Sequence, residues 1–358
     1  MNECRACGET GLSKVLDFGK VPAPDHFPLA SEAALPDEVC HGLSIDLCSS
    51  CGLAQLAEDD TTGEEAHGVE PQALRDQAAL AVKQLAVEGW LRGNTVLEFD
   101  SPHSGTWVPH VLEYGFRTST LDADVVLDCF GIMHEPDQRA SFARRAAATR
   151  AGGVLFLQYQ SITTIVEQGQ WNALRHGHFA YYSLISLQKI LGAVGMSVAS
   201  AWDFDLYGGT VLIAAVHGQV DADESVRTIL DREAEIGITA ATSIGRLQDL
   251  ADEDVESLRD WLEGEADAGH TVYAYAAASK AVSLFTRAGI GTDLIAAVAD
   301  ASPAKQGRRM PGTDIPIISP DEMLAAQPDR VLLTLADLLP EVSSRYPELH
   351  GKWKVHGQ

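Results

Sequence analysis

Two cysteine pairs constrain this chain more than anything else in it: Cys4-Arg-Ala-Cys7 and Cys48-Ser-Ser-Cys51, each followed by glycine. A two-residue gap turns both thiolates of a knuckle toward one ion, and the glycine permits the tight turn after it. Two such knuckles, 40 residues apart, complete a tetrahedral site with no open position. That predicts structural zinc on Cys4, Cys7, Cys48 and Cys51. A redox Cys-x-x-Cys normally comes singly at a helix start, and disulfides do not suit a reducing compartment. Cys40 and Cys129 read as small buried apolar residues. Val15, Leu16, Phe18, Leu43, Ile45 and Leu47 predict short strands around the metal. The module, residues 1–66, has so little core that the ion supplies much of its folding free energy.

At 358 residues the chain has room for two or three cores. No apolar run reaches the length of a membrane span, and MNECRACGET lacks the basic and apolar regions of a secretory signal. A cytoplasmic protein is expected. The net charge of −25 repels phosphate backbones, so nucleic acid is not an expected partner, nor is a membrane. A small phosphorylated ligand needs only a few local cations or helix N-termini and stays admissible. A monomer or small homo-oligomer binding a small-molecule substrate is expected.

Beyond the module the pattern alternates. Residues 71–92 have helical spacing, TVLEF (95–99) reads as a buried strand, and 107–115 as a helix. Strands are predicted at 117–121, 124–131 and 152–159, with a basic-faced helix at 137–151. An amphipathic helix at 183–195 precedes two antiparallel closing strands, 196–204 and 208–217. Residues 222–268 are helical, and strands at 271–281 (running into a helix), 294–300 and 330–335 open a further unit. The fold class is therefore α/β. It comprises the zinc-binding module, a truncated Rossmann-like domain (67–220), bridging helices (221–268) and a C-terminal Rossmann-like α/β domain (269–358).

Several stretches together resemble the sugar C-methyltransferases of antibiotic deoxysugar biosynthesis, which methylate C3 of a TDP-4-keto-deoxysugar. They are the two knuckles, Leu16-Asp-Phe-Gly-Lys-Val-Pro22, Cys51-Gly-Leu-Ala-Gln55, Gly177-His178-Phe179 and Tyr207-Gly208-Gly209. The C-terminal part adds Tyr275-Ala-Ala-Ala-Ser-Lys280, Asp300, Pro303-Ala-Lys305-Gln306 and Pro311-Gly-Thr-Asp-Ile315-Pro-Ile317. The resemblance runs nearly end to end and implies a methyltransferase-type middle domain.

The methyl-donor site departs from that pattern. A glycine-rich turn should follow the first strand of the middle domain, so that backbone and helix N–H groups reach the methionine part of S-adenosylmethionine. Here the turn is Glu98-Phe99-Asp100-Ser101-Pro102-His103-Ser104-Gly105, vestigial at Asp100, Ser101 and Gly105. Asp100 sets a carboxylate near the cofactor's own, and Pro102 removes a donor. Only 36 residues separate Glu98 from His134, room for one βα unit of about 30. The helix and strand that wall the adenine are expected to be missing after Leu121, although Asp122 stands where an acid can meet ribose hydroxyls. The family's tyrosine-rich lid is replaced by HGVEPQ (67–72). S-adenosylmethionine is accordingly not expected to bind.

What remains is the family's first step, removal of the proton α to a ketone. The resemblance makes His178 the base, since imidazole titrates near neutrality. His134, Arg175 and His176 are placed to stabilise an enolate, and Tyr207 or Tyr182 to return a proton. Arg175 and Gly177 stand where the family usually has tyrosine and glutamate. Lys280 opens a helix after a strand, a place for an anion, with Ala277 in a glycine-type position before it. Tyr275, Lys305 and Arg308 are weaker substrate-binding candidates. The expected function is epimerisation or isomerisation of a TDP-linked keto-sugar or related carbonyl compound without a methyl donor. The alternatives are a divergent S-adenosylmethionine-dependent sugar C-methyltransferase and a non-catalytic partner protein.

Overall fold

A computed structural model describes residues 3–32, 38–61, 72–102 and 105–357. Most of HGVEPQ, and His103 and Ser104 of the segment after Phe99, lie outside the described residues. Three sheets organise the chain. The first contains β1 (Leu12–Pro22), β2 (Cys40–Cys48), β3 (Ala54–Leu56) and β8 (Ala180–Tyr181), antiparallel in the order β1-β2-β3-β8. Alternation in β1 and β2 buries Leu16, Phe18, Leu43, Ile45 and Leu47, the residues that predicted strands there.

The middle sheet contains β4 (Thr95–Phe99), β5 (Arg117–Thr118), β6 (Ala123–Cys129), β7 (Thr149–Gln160), β9 (Met196–Phe204) and β10 (Thr210–His217). Its order is β5-β4-β6-β7-β10-β9, with the first four parallel and β10 antiparallel to both β7 and β9. The strand expected over 117–121 shrinks to two residues. Its backbone pairs only with Thr95 and Val96, then turns through residues 119–122 directly into β6. No helix and no further strand stands between β5 and β6. The helix Gln138–Ala148 is less basic on its surface than its sequence suggests. Arg145 is buried, ion-paired at 2.5 Å to the buried Asp128, with its guanidinium 4.1 Å from the Phe99 ring.

The third sheet is wholly parallel: β11 (Val272–Tyr275), β12 (Val298–Ala299), β13 (Ile317–Ile318), β14 (Arg330–Leu333) and β15 (Trp353–Val355), in the order β13-β12-β11-β14-β15. The chain leaves β11 to one side for β12 and β13, then crosses to the other for β14. That reversal is a topological switch point, the crevice where open α/β sheets bind ligands. Helices Glu224–Ile236 and Ala241–Asp267 bridge the second and third sheets. The longer one buries Ile244, Leu247, Ala251, Leu258 and Leu262 on a single stripe.

Candidate active site

The site is built from loops at the carboxyl edges of two sheets. Residues 175–181 carry His176 and His178, and the zinc module fixes their path. The Gly177 N–H donates to the Asp59 carboxylate at 2.8 Å, and His176 Nε2–H donates to the Gly42 carbonyl at 3.0 Å. The Leu56 N–H donates to the Phe179 carbonyl at 3.2 Å, and Ala180 pairs with Gln55 as β8 joins the first sheet. The metal site lies one strand away. Cys4 and Cys51 sulfurs are 3.5 Å apart, Cys7 and Cys48 3.6 Å, and all four sulfurs fall within 4.8 Å of one another. A tetrahedron with Zn–S bonds of about 2.3 Å has sulfur–sulfur edges of about 3.8 Å, so the four thiolates fit zinc.

His134 ends a 3-10 turn after β6, at the carboxyl edge of the middle sheet. The Phe179 N–H donates to the Met133 carbonyl at 2.7 Å, which brings the histidine loop onto that turn. The His134 and His178 rings meet edge to face, their centroids 4.6 Å apart, and His178 is buried.

Tyr207 lies at the same edge, in the turn between β9 and β10. It has φ of +54° and is followed by Gly208 and Gly209 at +78° and +138°. A Cβ on Gly208 would collide with Gln170, and one on Gly209 with Thr164, so this tight turn needs its glycines. The Tyr207 ring faces a cleft of about 850 Å³ between the middle sheet, the helix Ala241–Asp267 and the third sheet. From the switch point come Lys280, after β11, and Thr334 to Asp337, after β14. The bridging helix contributes Asp254 and Trp261, and the chain end His356, whose Nε2 is 3.1 Å from Asp254. Lys280 Nζ stands 5.7 Å from the Tyr207 ring centroid. Burial, opposed by the charge of Asp337 and joined by that of Arg175, pushes its ammonium down to about 8. Asp25 ties the two regions together. One of its oxygens accepts from Arg175 at 2.7 Å and the other from the Ser279 hydroxyl, next to Lys280.

The turn after β4 forms a second, smaller cavity of about 140 Å³, lined by Leu74, Glu98 to Ser101, Gly105 to Trp107, Cys129 and Phe130. Glu98 is occupied within it, accepting from the Thr106 hydroxyl and, at 2.8 Å, from the Trp107 N–H. The Phe130 ring meets Tyr207 edge to face at 5.9 Å, between this cavity and the cleft. Asp122 is remote from both. It lies at the amino edge of β6 and pairs with Arg150 at 2.9 Å.

The residues singled out in the sequence therefore fall into separate places. Tyr207 and Lys280 line the cleft, and His134 and His178 form the ring pair. Arg175 and His176 are spent on Asp25 and Gly42; burial also holds His176 below the usual imidazole range. Tyr182 is core, its hydroxyl donating to Gln138. Tyr275 packs in the third sheet against Tyr346 and Trp353, and Lys305 donates to the Ala277 carbonyl at 2.7 Å. Sequence reasoning missed Asp25, Asp59 and Asp337. Only Asp337 had a signal, its position just past the carboxyl end of a strand.

A family model described as the C-methyltransferase C-terminal domain matches residues 205–353, and a second, described as a zinc binding domain, matches residues 4–63. A curated relative, C-methyltransferase NovU of Streptomyces niveus, is 25% identical, the match covering 96% of this chain and 91% of that one. Among solved structures, magnesium protoporphyrin IX methyltransferase (ChlM) from Synechocystis PCC 6803 is 14% identical, covering 40% of this chain and 84% of its own, with a TM-score of 0.29. The N-methyltransferase NodS from Bradyrhizobium japonicum WM9 is 9% identical, covering 42% and 100%, also at 0.29. Likeness that low says nothing about the reaction. The family resemblance read from the sequence holds. Donor-free isomerisation, expected there first, gains no support from these matches, which favour the alternative of a C-methyltransferase.

Proposed function

We propose that this chain, similar to C-methyltransferases in its zinc-binding and C-terminal parts, is a tailoring enzyme that removes the proton beside the ketone of a nucleotide-linked keto-sugar, such as a TDP-4-keto-deoxysugar of antibiotic biosynthesis. The observation that carries this reading is the cleft itself. It lies at a switch point, is large enough for such a ligand, and is coupled through Ser279, Asp25 and Arg175 to the histidine loop. His178 is the proposed base, with His134 against it to share the positive charge it acquires. Tyr207 is the proposed partner of the sugar's oxygen. Zinc on the four cysteines has no open position for substrate, so its role is to hold the first sheet and, through β8, the histidine loop.

Two fates are open to the carbanion, each favoured by a different observation. C-methylation is the one that the family matches favour, and it is the reading taken first. The turn after β4 favours a second reading, in which the carbon regains a proton. What supports it is that β5 ends after two residues, no strand or helix stands between it and β6, and Asp122 pairs with Arg150 at the opposite edge. Incubation with a TDP-4-keto-deoxysugar, with and without S-adenosylmethionine, followed by mass spectrometry and NMR of the sugar, separates them. A methyl group gained only with the donor establishes the first fate. An isomerised sugar formed without it establishes the second. A sugar unchanged in both overturns the proposal.

A further inference from the structure

His178 lies outside the lining of the cleft that holds Tyr207 and Lys280, yet the proposed reaction needs both regions in register. Asp25 stands between them. It belongs to the stretch that follows β1, and that stretch is seated on the third-sheet unit. Arg308 Nη1–H donates to the Phe27 carbonyl at 2.6 Å, the Arg309 N–H to the Pro28 carbonyl at 2.9 Å, and the Ala30 N–H to the Gly307 carbonyl at 3.0 Å. One Asp25 oxygen accepts from the Ser279 hydroxyl, in the first turn of the helix Ser279–Ala288, where cleft-lining Lys280 comes next. The other pairs with Arg175 at 2.7 Å, the two side chains only 16% and 7% exposed. Burial works against the Asp25 charge, yet Arg175 and Ser279 hold its carboxyl below the usual carboxylate range.

Arg175 holds the histidine loop from within. Its Nη1 is 3.4 Å from the His176 carbonyl, and its own carbonyl accepts from the Tyr181 hydroxyl at 3.2 Å and from the His178 N–H at 3.3 Å. A buried guanidinium that loses its carboxylate is costly to keep in place, so the start of this loop depends on Asp25. We propose that Asp25 is a positioning residue that makes the histidine loop responsive to the cleft. A sugar nucleotide settled against Lys280 and Tyr207 steadies the helix start at Ser279. Through Asp25 and Arg175 it thereby steadies the carbonyl that holds His178. The role is the same whether the substrate carbon then gains a methyl group or a proton.

The inference rests on the nucleotide-linked reading of the cleft. Its test is amide hydrogen exchange of the full-length zinc-loaded protein, with and without saturating TDP, read by mass spectrometry at residues 175–181 and 276–282. In the native protein TDP is expected to slow exchange in both segments, by about tenfold at 175–181. Asp25→Asn keeps the volume and can still accept from Ser279, but it withdraws the charge from Arg175. It is expected to bind TDP with a Kd within about twofold of native and to protect 276–282 as before, while TDP no longer slows exchange at 175–181. Ser279→Ala cuts the other bond and is expected to do the same. If TDP protects 175–181 equally in the native protein and both variants, or protects only 276–282 in the native protein, this inference alone is overturned. It is likewise overturned if Asp25→Asn raises Kd and leaves both segments unprotected, for Asp25 is then a joint of the fold. Absence of TDP binding to the native protein overturns the nucleotide-linked reading and this inference with it.

Discussion

Ala276 has φ of +74°, a left-handed conformation in which a Cβ crowds the following carbonyl. It sits where β11 gives way to the Lys280 loop, with the Thr334 hydroxyl donating to its carbonyl at 2.7 Å. Sequence resemblance put a glycine-type position at Ala277; the positive φ itself falls at Ala276, and a φ angle leaves no mark on a run of three alanines. Ala276→Gly removes the crowding and is expected to stabilise the folded protein by about 1 kcal/mol, read as a higher midpoint in a urea titration. A lower midpoint would show that the strain is offset by contacts that the methyl group makes. Arg145 gives the same lesson. Its place in the pattern marks a solvated helix face, whereas Asp128, fixed by the Gly131 and Ile132 N–H groups, draws it into the core. Pairing across 17 residues is invisible to local periodicity.

Periodicity exposed the long elements and hid the short ones, for a physical reason. A strand shows as alternation only when four or more residues repeat it. Strands β4, β6, β9 and β10 were legible on that basis; β5 was read too long, over 117–121, and β8, of two residues, was not read at all. Yet β8 is the element that couples zinc to the histidines, since its partner β3 lies between it and β2, which ends at Cys48. Loss of the metal should therefore reach His178 through the sheet. Chelation is expected to accelerate amide hydrogen exchange at residues 177–181 at least tenfold, while β6 and β7 stay protected. Equal protection of 177–181 with and without zinc would mean that hydrogen bonds to Asp59 and Gly42 suffice without the ion.

At the scale of the whole molecule, two carboxyl edges face each other across one cleft. From the middle sheet's side Tyr207 and Gly208 line it, and from the third sheet's side Lys280 and Asp337, while His134 sits at the middle sheet's carboxyl edge outside that lining. The sequence made both α/β units legible through their alternation of strands and helices, and the short spacing from Glu98 to His134 matches the direct turn from β5 into β6. Which side chains share the cleft was not legible, because the distance from Tyr207 to Lys280 depends on how bridging helices dock one unit on the other. No described helix is long and apolar enough to cross a membrane. Abstraction of a proton beside a ketone is the step on which either fate of the substrate depends. Its most direct measurement is the uptake of deuterium at that carbon of a TDP-4-keto-deoxysugar by native protein and by His178→Ala. Native protein should exchange, and the variant should be slower by about a hundredfold or more. Equal rates in the two, in folded protein, would contradict the assignment of His178 as the base.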